Sequence, residues 1–204
     1  MQIGIGITTC DRPELLKKCL SKINKHTKEF TIYVADDSNR YEGVAYGKNE
    51  CLRALSTCDH VFLFDDDCYP IKDGWVDFFI NSGQEHLLFL NYTHNYYKTL
   101  ESNVRLYKDC GGVFMYMNRE GLKKGGWFNE NYGVWGFEHA EYSCKILGGH
   151  GKYPMLTGTN KYLYSEDYMN PNHESVLKKE EKIICFNKNL PIFTKFLSDN
   201  GYTL

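Results

Sequence analysis

Residues 1–90 alternate between two hydrophobic periodicities, and this alternation constrains the fold more than any other feature of the chain. Short β-rich runs predict strands at residues 2–8, 30–35, 60–64 and 86–92. Between them, apolar residues at helical spacing predict helices at residues 11–26, 44–58 and 75–83. Strands that alternate with helices through short connections form a mostly parallel sheet with helices on both faces. The sequence therefore predicts an α/β fold of this kind.

The second half of the chain is less regular but continues the same class of fold. A strand is predicted within residues 111–118, a short helix at 119–126, and a longer helix at 136–149 that stops at two glycines. From Glu174 onward the pattern is helical, with mixed charges that are typical of a solvated face. We find no internal repeat, low-complexity segment or linker, so the 204 residues are predicted to form one domain.

The amino-acid composition limits the kinds of molecule that the protein is expected to bind and the compartment in which it is expected to act. The net charge of −2 gives no electrostatic reason to expect nucleic acid or an anionic membrane as a main partner. No apolar run approaches the roughly 20 residues that cross a bilayer, and the first residues enter a strand pattern without the basic start of a signal peptide. The eight cysteines are scattered without a C-x-x-C pair. We therefore expect reduced thiols and a cytoplasmic location.

Polar residues follow three of the predicted strands at the point where each strand ends. They are Thr8 to Asp11, Asp36 with Asp37, and Asp65 to Asp67. Since ligands of parallel sheets bind outside the carboxyl ends of the strands, these residues are expected to meet at one edge. Asp11 is also expected to cap the first helix, with Glu14 completing a capping box.

Three consecutive aspartates after the apolar run "HVFLF" are the clearest sign of chemistry. Adjacent carboxylates raise each other's pKa unless a cation compensates them. Oxygen ligands favour a hard divalent cation, Mg²⁺ or Mn²⁺, which also binds phosphate. Strand alternation points Asp66 to the opposite face from Asp65 and Asp67, so we interpret Asp66 as a structural residue. An acidic turn that only ends the strand is the alternative for the whole triplet.

Taken in order, several segments resemble one family of enzymes. They are "TTCDRPELLKKCL", "ADDSN", "GVAYGKNECL", "FLFDDDCYP", "CGGVFMYMNREGL", "GGWFNENY" and "GFEHAEYSCKI". Their order and spacing resemble a GT-A glycosyltransferase, most closely one of family 2, with Lys48 where that family has arginine. The resemblance covers roughly residues 3 to 148.

The resemblance implies the GT-A fold, a nucleoside-diphosphate sugar as donor, by family habit a UDP-sugar, and a hydroxyl-bearing acceptor such as a glycan. It also implies Mn²⁺ or Mg²⁺ as cofactor and inversion at the anomeric carbon. Donor binding would involve Thr8, Asp11, Arg12, Asp36, Asp37, Lys48, Asp65, Asp66 and Gly112; metal binding would involve Asp67, Asp65 and a late histidine, His173. Residues 1–92 would form the nucleotide-binding half, residues 93–173 the acceptor and metal half, and residues 174–204 a C-terminal helical arm.

The catalytic base is where the chain departs from the family pattern. The family has a Glu-Asp pair, whereas this chain has Glu138-His139. Either residue could accept the proton of the acceptor hydroxyl, and Glu141 is a third option. A second metal-binding candidate after His173 is His150.

Four aromatic residues surround this pair and have two interpretations. Tyr132, Trp127, Trp135 and Phe137 could stack on sugar faces or fill the core between loop and sheet.

Three rival functions can be weighed on the sequence. The glycines of "GIGITT" lie within the strand and the third glycine of the dinucleotide fingerprint is missing, so a Rossmann dehydrogenase is disfavoured. A nucleotidyltransferase would carry a Gly-rich basic first loop, which "TTCDRPE" is not. A non-catalytic module that binds a nucleotide sugar or a glycan remains open because of the Glu-His departure.

Overall fold

The computed structural model describes residues 1–90, 95–100, 103–173, 175 and 177–203. Its strands are β1 (Ile3–Thr9), β2 (Thr31–Asp36), β3 (His60–Asp65), β4 (Cys68–Pro70), β5 (His86–Leu88), β6 (Tyr96–Thr99), β7 (Val104–Tyr107), β8 (Phe114–Asn118), β9 (Tyr153–Leu156) and β10 (Leu163–Ser165). Its α-helices are α1 (Pro13–His26), α2 (Val44–Ala54), α3 (Trp75–Ile80), α4 (Arg119–Gly125), α5 (Glu138–Leu147), α6 (Glu166–Met169) and α7 (Lys179–Asp199). Among these helices, none combines the length and apolarity needed to cross a bilayer.

One eight-stranded sheet forms the centre, in the order β2-β1-β3-β8-β5-β9-β7-β6. The strands β2, β1 and β3 are mutually parallel, as the βαβ pattern predicts. β8 enters antiparallel between β3 and β5, and β7 is antiparallel to β9 and β6. Within the described residues, all strands of this sheet except β8 and β7 therefore run in one direction, which confirms the predicted α/β class with a mostly parallel sheet.

Helices cover both faces of the sheet, and the alternation along β3 shows why. Val61 and Leu63 point into a core that α2, α5 and α7 cover. Phe62 and Phe64 point into a second core with α1 and α3. Burying such a side chain stabilises the fold by about 1.5–3 kcal/mol. β3 is therefore apolar on both faces up to Asp65, where the chain reaches the edge of the sheet.

Three predicted elements differ from the structure. The fourth predicted strand is shorter, because β5 pairs with β8 over residues 86–88 only; its predicted last residues, 91 and 92, lie outside the described residues. The C-terminal helix begins at Lys179 rather than at residue 174, and residues 174 and 176 lie outside the described residues. Asp11 does not cap α1: Arg12 occupies the cap position without a side-chain bond, and Asp11 has a φ of 52°.

Candidate functional site

A cavity of about 470 Å³ lies at the carboxyl ends of β1, β2 and β3. From the first half of the chain it is lined by Thr8, Arg12, Asp37, Asp65 and Asp67 among others. From the second half it is lined by Gly112, Glu138 and His139 among others. This volume is typical of a small-molecule site. The structure thus brings most of the predicted site residues to one edge of the sheet.

The register of β1 and β3 fixes the first carboxylate. Thr8 is paired with Asp65, and the Thr8 hydroxyl donates to Asp65 Oδ1 over 2.9 Å. The side chain of Asp65 is partly exposed and faces the cavity. Asp65 is therefore placed where the sequence predicts a donor-binding carboxylate.

Arg12 binds the other two aspartates of the triplet. Its Nη1 donates to Asp67 Oδ2 over 2.8 Å, and its Nη2 forms an ion pair with Asp66 Oδ1. Asp66 is fully buried and also accepts a hydrogen bond from the Thr9 hydroxyl. Asp66 thus joins β1 and the start of α1 to the end of β3, and it lies outside the described lining of the cavity. Arg12, predicted to bind the donor, supplies part of the positive charge that the triplet requires.

One guanidinium does not fully compensate these carboxylates. Burial raises the pKa of Asp66 to about 7, although Arg12 acts in the opposite direction. Burial and the neighbouring Asp65 charge raise the pKa of Asp67 above its ordinary value. An additional cation at this edge would favour the ionised forms.

A short two-stranded sheet brings His173 to Asp67. β4 follows the triplet directly and pairs antiparallel with β10. The backbone N–H of Glu166, at the start of α6, then donates to the Asp67 carbonyl over 2.8 Å. After α6 the chain turns, with the His173 N–H donating to the Asn170 carbonyl. His173 Nε2 ends 3.4 Å from Asp67 Oδ2.

Asp67 and His173, the two residues of the predicted metal site that meet here, each have a polar atom without a partner within the described ranges. Asp67 Oδ1 and His173 Nε2 are both buried and have no hydrogen-bond partner among the described residues. A buried polar atom without a partner is costly, so these two atoms are suited to an additional ligand. No group of three His, Cys, Asp or Glu side chains with metal-binding geometry occurs in the part of the chain that the structure describes. Two protein ligands nevertheless suit Mg²⁺ or Mn²⁺, because such ions retain waters and bind substrate phosphates.

Lys48 lies beneath the cavity rather than in its lining. The residue is fully buried in α2, and its Nζ donates to the Gly112 carbonyl over 2.9 Å. The same Nζ lies 3.8 Å from Asp65 Oδ1 and 3.6 Å from Glu138 Oε1. The resemblance implies that Lys48 helps to hold the nucleotide. The structure places its charge between two carboxylates, where it reduces their mutual repulsion.

Glu138 and His139 form a buried pair at the start of α5. Glu138 Oε2 accepts from the Gly136 N–H over 3.0 Å. His139 Nδ1 lies 3.0 Å from Glu138 Oε1, and its Nε2 lies 3.3 Å from the Cys110 carbonyl. Because both ring nitrogens face acceptors, the geometry favours the imidazolium, which has two N–H donors.

The charges of this pair follow from its contacts. Burial alone would lower the pKa of His139, but the Glu138 carboxylate dominates and raises it to about 10. Burial alone would raise the pKa of Glu138, but His139 and Lys48 hold it below its usual range. At neutral pH the pair is therefore a carboxylate beside an imidazolium.

Gly112 allows the close approach of this pair to the cavity wall. A Cβ at Gly112 would lie 2.8 Å from Cγ of His139, closer than carbon atoms pack. The predicted role of Gly112 was a close approach to the donor sugar. The structure adds that its missing side chain also leaves room for the His139 ring.

The predicted nucleoside-binding aspartates separate into two groups. Asp37 lines the cavity, and its two carboxylate oxygens accept from the N–H groups of Glu42 and Gly43. Asp36 is exposed and accepts from Ser38. Asp11 is exposed and accepts from the Tyr41 hydroxyl. Neither Asp11 nor Asp36 belongs to the described cavity lining, so position favours Asp37 of the two alternatives at the end of β2.

Of the four predicted aromatic residues, Trp135 lines the cavity. Tyr132 is buried, and Phe137 packs against Phe186 and Phe193 of α7, with ring centroids 5.1 Å apart in each case. Trp127 is half exposed on a separate surface groove. Core packing thus accounts for Tyr132 and Phe137, and stacking on a sugar remains open to Trp135.

Two alternatives for catalytic or metal-binding residues lie away from the described cavity lining. Glu141 is buried, accepts from the Tyr132 hydroxyl over 2.7 Å and forms an ion pair with Lys145. His150 packs edge-on against Tyr153 and Phe193. Both side chains have a structural explanation in their contacts.

The cavity includes residues that the sequence analysis missed. Asp167 and Tyr168 of α6 reach it, as do Glu181 and Lys182 of α7. The acidic "SED" before an Asn-Pro turn could have drawn attention to Asp167. The mixed charges around Glu181 and Lys182 predict a solvated helix face. The helical periodicity does not show that the first turn of α7 reaches the site.

No family model matches the chain, and no curated protein sequence matches it.

Solved structures do match. TarS of S. aureus shares 15% identity with a TM-score of 0.59, covering 93% of this chain and 44% of TarS. GalNAc-T7, crystallised with UDP, GalNAc and Mn²⁺, shares 11% identity with a TM-score of 0.63, covering 98% of this chain and 54% of that one. The catalytic domain of Drosophila β1,4-galactosyltransferase 7, in complex with xylobiose, shares 14% identity with a TM-score of 0.52, covering 88% and 78%.

These similarities extend over nearly the whole chain and show its fold. The chain has the GT-A fold, as the motif order predicts. It spans about half the length of TarS and GalNAc-T7.

Proposed function

We propose that this chain, which has the GT-A fold, is a metal-dependent glycosyltransferase that moves a sugar from a nucleoside-diphosphate sugar to an acceptor hydroxyl. The observation that carries the proposal is the cavity at the carboxyl edge of the sheet. Asp65 and Asp67 line it together with the Glu138–His139 pair, and His173 lies against Asp67. A site for a charged diphosphate and a site for proton transfer are thus combined in one cavity.

Asp67 and His173 are the proposed protein ligands of Mn²⁺ or Mg²⁺. Two observations support this assignment: Asp67 Oδ1 and His173 Nε2 are buried without hydrogen-bond partners among the described residues, and His173 Nε2 lies 3.4 Å from the other carboxylate oxygen, Asp67 Oδ2. A bound divalent cation would neutralise the charge that develops on the departing nucleoside diphosphate. GalNAc-T7, with its bound UDP and Mn²⁺, supports a UDP-linked donor and a metal of this kind.

Other residues around the cavity would bind and orient the donor. We propose that Thr8 and Asp65 face the ribose of the donor. Asp37 would hold the loop against which the nucleobase of the donor lies. Arg12 is bound to Asp66 and Asp67 and positions the metal-binding carboxylate. Gly112 forms the wall on which the donor sugar would rest, close to Glu138 and His139.

Glu138 is the proposed catalytic base, and His139 orients it. Because the pKa of His139 is raised to about 10, its ring is protonated at neutral pH and cannot accept a further proton. The carboxylate of Glu138 is ionised and lines the cavity. A carboxylate of low pKa accepts the proton late, when the acceptor oxygen has begun to bond to the anomeric carbon and has become acidic. We propose a single displacement with inversion, in which the acceptor oxygen bonds to the anomeric carbon as the nucleoside diphosphate leaves.

The kinetics of sugar transfer in three variants test the assignment of Glu138 as the catalytic base. Glu138→Gln is expected to lower kcat by about 10²–10⁴-fold, the usual contribution of a general base. Glu141→Gln removes the charge of a nearby glutamate outside the described cavity lining and should leave kcat within a few-fold. If Glu138→Gln remains active while His139→Asn is inactive, histidine is the base and the assignment is wrong.

The stereochemistry and the class of function have their own tests. An NMR spectrum of the product should show the inverted anomeric configuration; retention would contradict the single displacement. The alternative function, a non-catalytic module that binds nucleotide sugars, would be indicated by donor binding without turnover across a panel of acceptors with Mn²⁺.

A further inference from the structure

We propose that Asn189, in the middle of α7, is a positioning residue that holds the loop carrying the catalytic base. The loop in question, residues 132–138, is called the base loop below. The inference rests on the proposed function for the identity of the base, but the contacts that support it are independent of any activity. Nothing in the sequence pattern of α7 distinguishes Asn189 from the solvated positions around it.

Asn189 is fully buried and directs its amide at the base loop. Its Nδ2 donates to the Tyr132 carbonyl over 2.7 Å and to the Trp135 carbonyl over 2.8 Å. The Gly136 carbonyl lies at 3.4 Å from the same nitrogen. Asn189 Oδ1 is buried without a hydrogen-bond partner among the described residues. A buried polar atom without a partner costs free energy, so the Oδ1 atom does not favour an asparagine here. The hydrogen bonds that Nδ2 donates to the loop therefore explain why an amide side chain occupies this position.

The base loop needs such support because its backbone is strained. Phe137 has a φ of 73°, in the left-handed region that a bulky residue rarely adopts. Such a conformation is strained and persists only where the surroundings hold it. Two rings of α7, Phe186 and Phe193, pack against Phe137. The same helix thus supplies both the hydrogen bonds and the packing.

The base depends on the geometry of this loop. The Gly136 N–H donates to Glu138 Oε2 over 3.0 Å, and Glu138 follows the strained Phe137 directly as the first residue of α5. If the loop relaxed, the Gly136 peptide would turn and the Glu138 carboxylate would lose one of the donors that orient it. Asn189 therefore acts on Glu138 through the backbone of Trp135 and Gly136.

Two leucine variants on one helix test this role. Asn189→Leu keeps a side chain of similar size but removes the N–H donors. The matched control is Asn187→Leu, because Asn187 is exposed on the same helix. Amide hydrogen exchange across residues 132–138 reports the loop itself and requires no substrate. Steady-state kinetics then separate kcat from the KM for the donor.

Asn189→Leu is expected to speed exchange in the base loop at least tenfold, while exchange in β1 and β3 stays as in the wild type. It should also lower kcat about tenfold or more with the donor KM within twofold, since misplacing a catalytic group mainly affects the chemical step. Asn187→Leu should change neither. Should Asn189→Leu fail to fold, Asn189→Ala, which removes the same N–H donors with a smaller side chain, is expected to speed loop exchange in the same way.

Wild-type exchange rates in the base loop of Asn189→Leu, or in that of Asn189→Ala if it alone folds, would overturn the positioning role. So would equal losses in kcat and in donor affinity. If the wild type shows no transfer at all, the proposed function fails, and the exchange measurement still decides whether Asn189 holds the loop.

Discussion

Replacing Lys48 by methionine tests the electrostatic organisation of the site. The side chain is fully buried, and methionine approximates its length without the charge. The substitution removes the hydrogen bond to the Gly112 carbonyl and the cation between Asp65 and Glu138. Glu138 is itself almost fully buried, so water cannot replace the lost partner.

The size of the effect follows from these contacts. Removing one partner of a buried ion pair costs about 3–5 kcal/mol, because an uncompensated charge stays behind. Asp65 is partly exposed, so most of the cost arises at Glu138. For a chain of this size, 1 kcal/mol corresponds to roughly 2–4 °C in Tm. We therefore expect Lys48→Met to unfold about 6–20 °C below the wild type.

The pH dependence gives a second, independent signature. His139 and Lys48 hold the pKa of Glu138 below its unfolded value of about 4.5. The lowered pKa of Glu138 stabilises the folded protein. This stabilisation is fully present above the unfolded pKa and is lost as the pH falls through the folded pKa. In Lys48→Met the pKa is lowered less. The difference in unfolding free energy between wild type and variant should therefore be largest near neutral pH and should shrink as the pH falls below the folded pKa of Glu138 in the variant, which lies below about 4.5.

Urea unfolding at pH 7 and at intervals down to about pH 2.5 measures both effects, because the series passes through the lowered pKa of Glu138 in the variant. Lys17→Met, at an exposed lysine of α1, is the control. A loss below about 1 kcal/mol at pH 7 would refute the reasoning, because that is the range of a surface ion pair. A loss that stays equal across the whole pH series would show that the Glu138 carboxylate does not interact with Lys48.

Three further substitutions test other parts of the site. Asp67→Asn should abolish the rise in Tm that Mn²⁺ produces in the presence of UDP, whereas Asp77→Asn, at an exposed aspartate of α3, should keep it; an unchanged rise in Asp67→Asn would exclude this residue as a ligand. His139→Asn should be less stable than the wild type by an amount that shrinks from pH 6.5 to pH 10, because the raised pKa of about 10 contributes stability below the unfolded value of about 6.5 and loses it as the pH rises. A constant difference in urea unfolding would contradict the ion pair with Glu138. Gly43→Ala should cost at least about 1–3 kcal/mol, since a Cβ there would collide with the Gly133 carbonyl and the φ is 104°. Gly149→Ala, where a Cβ would meet open space, is its control in the same thermal-shift assay.

The fold and part of the site could be predicted because they depend on local patterns. Apolar runs that end in polar residues place Thr8, Asp37 and Asp65 at the carboxyl edge once the strands are parallel. Alternation along β3 and its extension separates Asp66 from its neighbours, and in the structure Asp66 is buried against Thr9 and Arg12. The antiparallel β8 was predicted as a strand, but its insertion between β3 and β5 depends on long-range pairing that no local pattern encodes.

Other features depend on which side chains meet across the fold. Lys48 occupies a motif position that favours a nucleotide-binding role, yet burial places its charge between two carboxylates. The approach of His173 to Asp67 depends on the pairing of β4 with β10, which are too short to recognise as partners. Asn189 is a polar residue on an amphipathic helix, and its three carbonyl neighbours come from a loop more than 50 residues earlier.

Calorimetric titration of the chain with UDP, with and without Mn²⁺, tests the central claim most directly. The account predicts that UDP binds at the carboxyl edge of the sheet and that Mn²⁺ tightens this binding by at least tenfold. By linkage, UDP should tighten Mn²⁺ binding by the same factor. UDP binding that is unaffected by Mn²⁺ would contradict the proposed metal–diphosphate site. Absence of binding by UDP and by the other nucleoside diphosphates would contradict the proposed donor and, with it, the proposed transfer.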